Sequence, residues 1–340
     1  MNITFLIGNG FDISLGLKTS YSEFAKYYIQ RPSSHPSIVE LKKDIEKDIH
    51  NGEKEWGSKW ADFERAFGLY TTHISNDDEF DIVYDDVVEE LRTYLSMVNK
   101  SFNAMLTSNT LNQKIFVESL IHPYDFIRNS KILSNFIQEE INRPINIHII
   151  NFNYTSTIDT LVKNIPWDSS EYKRMHISIK EDVYHIHGTL DSTILFGVND
   201  TSQIANKTFL TNSKVPYELV KPTFNERLGY GIDDKCVSAI KSAHIVCVFG
   251  MSLGETDKYW WEEIGKSIQS PDQFAIFFMY DNNKKYELTQ ERLKLREEDR
   301  LKTEVVLPKI GCNMDSSIID RIYIGYNTDL FQGIMKAKEN

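Results

Sequence analysis

Asn153 and His187 are the residues of this chain whose types and settings best suit chemistry. Asn153 lies in the segment Asn-Phe-Asn-Tyr-Thr at 151–155, and His187 lies in His-Ile-His-Gly at 185–188. An asparagine amide can both donate and accept hydrogen bonds, so it can fix a ribose hydroxyl or a water molecule. A histidine is the usual group for moving a proton near neutral pH. Both are therefore candidates for work on a nucleotide or a similar polar substrate.

The N-terminal segment ITFLIGNGFD, residues 3–12, is a second candidate. Its apolar and β-branched start predicts a buried strand. Gly8 and Gly10 then allow a sharp turn, and Asp12 or Ser14 can cap the helical turn that follows. A strand that passes through glycines into a helix start can cradle a phosphate with free N–H groups. The alternative is a tight turn that leaves an ordinary first strand.

A parallel sheet would bring these segments together. Apolar runs that predict strands alternate with stretches that predict helices, which is typical of an α/β protein. Ligands of such sheets bind beyond the carboxyl ends of the strands, where the strand order reverses. The glycine turn, residues 151–155, residues 185–188 and the segment Gly-Met-Ser-Leu at 250–253 should meet there. The predicted strands are 3–7, 145–150, 183–188, 194–198, 243–249, 273–279, 305–307 and 322–324.

Residues 20–142 carry helical patterns and almost no strand signal. An aromatic stripe at helical spacing in this block resembles a surface for stacking bases, but the periodicity favours burial in a core. The stripe consists of Trp60, Phe63, Phe67 and Tyr70. The predicted helices of the block are 20–30, 37–49, 81–106 and 113–142.

These patterns predict a Rossmann-like α/β domain of residues 1–19 and 143–340, with helices on both faces of a parallel sheet. Residues 20–142 form a large helical insertion between the first two strands and pack on that domain. Residues 201–231, with their prolines and glycines, predict a long loop or lid. Further helices are predicted over 157–163, 233–242, 257–270 and 286–302, the last with a charge run typical of a solvated face.

Composition narrows the class of protein. The 340 residues suffice for a large core, and 41% hydrophobic and 26% charged residues are typical of a globular protein. A formal net charge of −11 argues against a non-specific nucleic-acid binder. The three cysteines have no Cys-x-x-Cys spacing, which fits a reducing compartment. Since no signal peptide or membrane span is visible, we expect a cytoplasmic protein without membrane contact.

Four motifs in order resemble those of a known family. Their order is similar to that of the sirtuin-like (SIR2) NAD-binding fold, and more closely the chain looks like the AbiH family of bacteriophage abortive-infection proteins. The resemblance covers residues 1–30 and 145–260 by motif, and the rest by architecture. The motifs are IGNGFDISLGLKTSYSEF at 7–24, NFNYT at 151–155, HIHGTL at 185–190 and FGMSLGETD at 249–257.

The resemblance implies a Rossmann-like NAD site and an NAD glycohydrolase that acts in abortive infection. In sirtuin-like enzymes a glycine loop holds the pyrophosphate, an asparagine orients the ribose or the attacking water, and a histidine acts as the base. These roles make Asn153 and His187 the expected catalytic residues. The expected cofactor-binding residues are Gly8, Asn9, Gly10, Phe11, Asp12, Tyr154, Gly188, Gly250, Ser252, Leu253 and Asp257.

The resemblance also implies partners. NAD, or a related nucleotide, is expected as the substrate, without a metal ion. A phage-derived trigger or partner protein is expected to activate the protein, which we expect to be a homo-oligomer. Asp257 stands at the start of a predicted helix. It can therefore either cap that helix or contact the cofactor, and the sequence favours neither role.

The chain departs from the sirtuin pattern in several places. It lacks the four-cysteine zinc module, so protein deacetylation is not expected. Thr155 stands where sirtuins have an aspartate, and Asp12 stands where they have a serine. Lys18 and Tyr21 replace a proline and an arginine near the expected nicotinamide pocket. A carboxylate at position 12 would face the ribose or substitute for the missing acid, and the next aspartate after Thr155 is Asp159, further along the chain.

Two other functions stay open. One is a non-catalytic module that senses or binds NAD or ADP-ribose and acts through a protein partner. The weaker one is a metal-dependent hydrolase of another nucleotide or of nucleic acid, in which Asp12, Asp200 and Asp257 bind Mg²⁺. His185 shares a strand face with His187, and the His-x-His spacing permits metal binding. No third ligand is evident beside these two histidines.

Overall fold

The computed structural model describes residues 1–52, 60, 62–106, 110–128, 130–140, 142–165, 172, 176–179, 183–281 and 290–334. Its strands are β1 (Asn2–Ile7), β2 (Ile145–Asn151), β3 (Ile177–Ile179), β4 (Tyr184–His185), β5 (Ile245–Phe249), β6 (Phe274–Met279) and β7 (Ile322–Tyr326). Its α-helices are α1 (Gly10–Ser14), α2 (Tyr21–Tyr28), α3 (Pro36–Gly52), α4 (Phe63–Tyr70), α5 (Asp77–Leu106), α6 (Thr110–Ile121), α7 (Lys131–Glu140), α8 (Thr157–Lys163), α9 (Val215–Leu219), α10 (Lys221–Leu228), α11 (Ile232–Ser242), α12 (Lys258–Ser267), α13 (Glu291–Arg300), α14 (Leu307–Lys309) and α15 (Ser316–Ile319).

The strands form one parallel sheet in the order β3-β2-β1-β5-β6-β7, and β4 pairs with the end of β2 next to β3. Phe5 in β1 lies between Ile149 of β2 and Cys247 of β5. The strand order reverses between β1 and β5, which is where a Rossmann-like sheet opens a crevice. The predicted α/β class and the helical insertion between the first two strands are confirmed.

Both faces of the sheet are covered by helices, which explains why its strands read as continuous apolar runs. Ile3, Phe5 and Ile7 of β1 lie in a core with α6 and α8 on one face. Leu6 lies on the opposite face, in a core with α11 and α12. Thr4 shares that second face, and its hydroxyl donates a 2.8 Å hydrogen bond to the carbonyl of Ala239 in α11.

A third core joins the helical insertion to residues 190–220, and we call these two parts together the helical unit. All four residues of the aromatic stripe are buried, so the prediction that the stripe packs in a core is confirmed. Phe209, Val215 and Leu219 are buried in the same core. The prediction of a long loop over 201–231 is wrong, because this segment contains α9, α10 and two 3₁₀ turns. Its prolines stand in the first turns of α9 and α10, where a missing N–H costs nothing.

Several predicted elements need correction. The helix predicted over 113–142 is interrupted at Pro123, where a 3₁₀ turn separates α6 from α7. Residues 305–307 are helical rather than extended, because this spacing buries Val306 and Leu307 beside Ile310. Residues 194–198 form no strand, although Val198 makes an isolated bridge to Val220. The first residues of the helix predicted from 286 lie outside the described residues.

The loops that follow β1 and β5 touch through their backbones. Gly10 donates its N–H to the carbonyl of Gly250 at 2.8 Å, and Gly8 donates to Phe249 at 2.9 Å. A Cβ atom on Gly10 would lie 2.5 Å from the Cα atom of Gly250. Gly250 itself has φ of +69°. Only residues without side chains allow this approach, so the glycines close the junction between the two central strands.

Replacing Gly250 with alanine should destabilise the protein by about 3 kcal/mol or more, because a Cβ atom there strains the backbone and clashes with its neighbours. That atom would lie 2.6 Å from the backbone nitrogen of Phe11. Gly229→Ala is the matched control, since Gly229 has φ of +70° but open space around it. It should cost about 1 to 2 kcal/mol. Equal losses of unfolding free energy in urea would show that the contact between the loops contributes nothing.

Candidate functional site

The glycine turn directs its amides into the protein. The N–H groups of Gly8 and Gly10 donate to the loop after β5, and the N–H of Phe11 donates to Gly8 at 3.0 Å. The Asn9 side chain donates to the carbonyl of Thr19 at 2.9 Å and accepts from its hydroxyl at 2.5 Å. These groups thus hold the turn in place. They are occupied by partners within the chain in this conformation.

Asn153 reaches the glycine turn from the end of β2. Its Nδ2 donates to the carbonyl of Gly8 at 3.2 Å, and its backbone N–H donates to the Asn151 side chain at 3.0 Å. The side chain is buried, and its Oδ1 atom has no hydrogen-bond partner among the described residues. A buried amide oxygen without a partner is costly. It can therefore accept a hydrogen bond from a water molecule or a ligand hydroxyl.

Asp12 is fully buried, and its side chain contacts the loop after β2 in which Asn153 also lies. Its carboxylate accepts a 2.5 Å hydrogen bond from the Thr155 hydroxyl, and its Oδ1 atom has no partner among the described residues. Burial raises the pKa of Asp12 to about 6, although hydrogen bonds from Thr155 and Thr157 act in the opposite direction. The carboxyl group can therefore change its protonation near physiological pH.

His187 pairs with a carboxylate from the segment that follows β5. Its Nε2 lies 3.2 Å from Oδ1 of Asp257, and its ring packs edge-on against Phe152 with the centroids 5.3 Å apart. His187 follows β4 and Asp257 follows β5, so both come from carboxyl ends of the sheet. A carboxylate on one ring nitrogen fixes the tautomer and orientation of the imidazole, and it stabilises the imidazolium form.

The same carboxylate oxygen binds a buried lysine. Nζ of Lys221 lies 2.8 Å from Oδ1 of Asp257 and 2.9 Å from Oε2 of Glu64 in α4. Lys221 and Glu64 are each 5% exposed. Oε1 of Glu64 also accepts from the backbone N–H of Gly197 at 3.3 Å and the hydroxyl of Tyr154 at 3.4 Å. Charged groups thus form a continuous chain from the helical insertion to the imidazole.

Burial and pairing act in opposite directions on these groups. Burial would raise the pKa of Asp257, but the charges of Lys221 and His187 outweigh it and hold that pKa well below its usual range. Burial would lower the pKa of Lys221, but Asp257 and Glu64 outweigh it and raise that pKa. The pKa of Tyr154 is raised well above 10, by burial first and by Glu64 second. Asp257 and Lys221 are therefore ionised at neutral pH, and Tyr154 is neutral.

A small cavity lies beside His187. Its volume is about 10 Å³, close to the least that holds one water molecule. Asp233 of α11 lines it, and burial raises the pKa of that carboxyl to about 6. Nδ2 of Asn225 donates to Asp233 at 2.9 Å and to the carbonyl of Ile186 at 3.2 Å. The lining residues are Ile186, His187, Asn199, Lys221, Pro222, Asn225, Asp233, Thr256, Asp257, Tyr259 and Trp260.

No curated protein matches the sequence of this chain. The family described as bacteriophage abortive infection AbiH matches residues 4–280, from β1 to the end of β6. The chain belongs to the AbiH family. Abortive infection is a form of defence against phage, and the residues of the candidate site all lie within the match. No helix in the part of the chain that the structure describes is long and apolar enough to cross a membrane.

The expected site residues of this AbiH protein fall into two groups. His187 and Asp257 line the cavity. The first and second motifs instead meet at the junction of β1, β2 and β5, where Asn153 contacts Gly8 and where Gly10 contacts Gly250. Their assignment to a cofactor stays a prediction.

The remaining expected residues have structural settings of their own. The ring of Phe11 is fully buried among Phe116, Phe249 and Phe331. Gly188 adopts φ of +77° in a turn, Leu253 is buried at φ of +53°, and Ser252 is exposed. The sequence did not reveal Glu64, Lys221, Asn225 or Asp233. Glu64 and Lys221 lie far apart in the chain, and neither is part of a recognisable motif.

The expected cluster of aspartates for Mg²⁺ does not form. Asp12 binds Thr155, Asp200 caps a 3₁₀ turn, and Asp257 binds Lys221 and His187. Among the described residues, no group of three or more histidine, cysteine or acidic side chains is arranged to hold a metal ion. His185 pairs with Asp159 of α8 at 2.9 Å and lies apart from the Asp257 contact of His187.

Lys221→Met should destabilise the AbiH protein by about 3 to 5 kcal/mol, because it leaves two buried carboxylates without their cation. Lys214→Met is the matched control, since the Lys214–Asp81 ion pair of the helical unit is exposed, with 42% and 36% of the side chains accessible. Its loss should cost less than about 1 kcal/mol. The free energy of unfolding in urea measures both. Similar costs for the two variants would disprove the inferred difference between the buried and exposed pairs.

Asp12→Asn should alter how stability depends on pH. The folded pKa of Asp12, about 6, exceeds the ordinary value of 3.8, so its protonated form stabilises the fold below about pH 4 and that contribution is lost as the pH rises through 6. Asparagine does not titrate. Relative to the wild type, the variant should therefore gain up to about 3 kcal/mol between pH 4 and pH 8. Urea unfolding at pH 4, 6 and 8 measures this gain, and a constant difference would contradict the buried carboxyl.

Proposed function

We propose that this AbiH protein hydrolyses NAD to nicotinamide and ADP-ribose during abortive infection. The observation that carries the proposal is the His187–Asp257 pair, which lies beside a cavity beyond the carboxyl ends of β4 and β5. This is the edge of the sheet where Rossmann-like proteins bind nucleotides. The order of the four motifs supports NAD as the nucleotide.

The proposed chemistry uses the chain's own groups. The bond between nicotinamide and the ribose breaks through an oxocarbenium-like state, and water forms the new bond to the anomeric carbon. Because Nε2 of His187 faces Asp257, Nδ1 is the nitrogen that takes a proton from the ribose hydroxyl or the water. The Asp257 carboxylate stabilises the imidazolium, and nicotinamide leaves as a neutral molecule.

The contact between Asp12 and Thr155 supports the resemblance to sirtuin-like enzymes. These enzymes have a serine and an aspartate at the corresponding positions, so each position taken alone is a departure. The Thr155 hydroxyl donates to the Asp12 carboxylate in this chain. A hydroxyl and a carboxyl group thus occupy the two positions, with their order along the chain reversed. Asn153 donates to the Gly8 carbonyl of the glycine turn, and in the proposed reaction it orients a ribose or a water.

The closed cavity gives the proposed enzyme a resting state. A site for a small molecule usually has a volume of about 300 to 1,000 Å³, whereas the space beside His187 is about 10 Å³. NAD can enter only if residues that line this space move apart. A site that is too small for its substrate at rest suits an activity that would harm the host cell without a trigger.

A second candidate is a nucleotide-binding module that acts through a partner protein. The departures from the sirtuin pattern at Lys18, Tyr21 and Thr155 favour binding over cleavage. The amides of Gly8, Gly10 and Phe11 already donate within the chain, so either function requires other donors for a pyrophosphate in this conformation. In this case the nucleotide would bind without being cleaved, and the helical unit would contact the partner.

The proposed activity can be tested in cells, where the trigger is present. In bacteria infected with a phage against which the wild type protects, NAD should fall and nicotinamide and ADP-ribose should rise. His187→Ala should abolish the fall, since removing a general base typically slows a reaction by about 10² to 10⁴. Asn153→Ala should abolish it as well, because it removes the amide that orients the ribose or the water. His185→Ala is the matched control, because His185 pairs with Asp159 instead of Asp257.

The two candidate functions give different outcomes in this experiment. Protection that persists in His187→Ala cells with unchanged NAD would reject hydrolysis in favour of the binding module. A thermal shift of the purified protein with NAD, without release of nicotinamide, would point the same way. NAD loss in wild-type cells but not in His187→Ala cells would establish hydrolysis at this site.

A further inference from the structure

Lys221 joins two parts of the protein that have separate cores. It follows Val220, which is buried in the core of the helical unit, and its backbone N–H donates to Val198 at 2.9 Å. Glu64, its first partner, belongs to the same unit. Asp257, its second partner, follows β5 and belongs to the sheet. The Lys221 side chain therefore reaches from the helical unit to the sheet.

Lys221 and His187 bind the same atom. Oδ1 of Asp257 lies 2.8 Å from Nζ of Lys221 and 3.2 Å from Nε2 of His187. A cation on this oxygen fixes where the oxygen lies, and it keeps the carboxyl group ionised against the effect of burial. Both conditions are needed for Asp257 to orient the imidazole and to stabilise its protonated form.

From this geometry we propose that Lys221 is a positioning residue for the His187–Asp257 pair, and that the helical unit completes the site by supplying Lys221 with Glu64 as its anchor. The part of this inference that concerns catalysis rests on the function proposed above. The part that concerns the ionisation of Asp257 does not depend on any activity.

The tyrosines and the glutamate around Asp257 cannot supply the positive charge that Lys221 supplies. Tyr21 and Tyr154 act on each other and on Asp257, but their pKa values are raised well above 10, by burial first, so they stay neutral. Glu64 carries a negative charge and cannot replace the lysine. The titratable groups that face the pair are Lys221 of α10, Glu64 of α4, Tyr21 of α2, Tyr154 after β2, His187 after β4 and, toward the histidine, Asp233 of α11.

Carbon-13 NMR of protein labelled at its aspartate carboxyl groups tests the inference without an activity assay. Asp257→Asn identifies the Asp257 signal by its disappearance. In the wild type this signal should not titrate between pH 4 and pH 8. In Lys221→Met it should titrate within this range, because burial, the largest influence on the pKa of Asp257, is then opposed by His187 alone.

Three further variants separate charge from structure. Lys221→Arg keeps the charge and should keep the wild-type behaviour of the Asp257 signal. Glu64→Gln removes only the anchor's charge and should not raise the midpoint. Lys214→Met should change nothing, because Lys214 pairs with Asp81 at the surface. The Asp12 signal, expected to titrate near pH 6, reports in every sample whether the fold is intact. If Lys221→Met does not fold, Lys221→Gln removes the charge while keeping hydrogen-bond donors.

Activity provides the second readout. In Lys221→Met the acid limb of the pH profile for NAD hydrolysis should move to higher pH, and Lys221→Arg should restore it. An Asp257 signal that titrates alike in the wild type and in the neutral variants would overturn the inference, even if hydrolysis were lost. A wild type without NAD turnover in any infected cell would overturn the proposed function, and the NMR result would still decide the role of Lys221.

Discussion

A buried lysine between two carboxylates is the interaction on which the candidate site depends. Lys221 is 5% exposed, and its ammonium group binds Glu64 and Asp257 at once. Removing such charges from water costs several kcal/mol for each ion, and apolar side chains of similar volume often stabilise a protein as well or better. Stability alone therefore gives little reason for this arrangement. Its geometry does give a reason, since the lysine holds the oxygen that in turn holds the imidazole of His187.

The same interaction places Lys221 at the small cavity beside His187. Lys221 lines the space beside His187, and it is tied to the helical unit by Glu64 and by its backbone bond to Val198. When the helical unit is docked, the Asp257 carboxylate is ordered but a nucleotide has no room. The Lys221 side chain therefore orders the Asp257 carboxylate and at the same time takes up space beside His187. An activating event would have to enlarge the space without separating Lys221 from Asp257 when the chemistry takes place.

The sheet could be predicted well because its strands are buried on both faces. The resulting apolar runs in β1, β2, β5 and β6 end in turn residues, so the apolar pattern and the turn residues predict the same strand boundaries. The segment of 201–231 was harder, because Pro216 and Pro222 normally signal a loop and here begin helices. The short apolar run at 305–307 was ambiguous for another reason, since three residues fit a strand or a helix equally.

The site could be predicted only in part, for a physical reason. Asn153 and His187 stand in local motifs that mark strand ends, and the parallel topology then brings each of them to the same edge of the sheet. The pairing of Lys221 with Glu64 has no local signal, because it joins residues that are 157 positions apart. Glu64 lies next to Phe63 in an amphipathic helix, where a charged residue normally faces water. Only the docking of residues 190–220 onto α4 turns that face inward.

The contact between Asp12 and Thr155 could not be predicted from either sequence position alone. Compared one position at a time with the sirtuin pattern, both residues are losses, and together they argue against a working site. In the fold the hydroxyl of Thr155, in the loop after β2, donates a hydrogen bond to the carboxylate of Asp12 in α1. Because burial raises the pKa of the Asp12 carboxyl to about 6, this contact places a group that can change its protonation near physiological pH in the turn after β1.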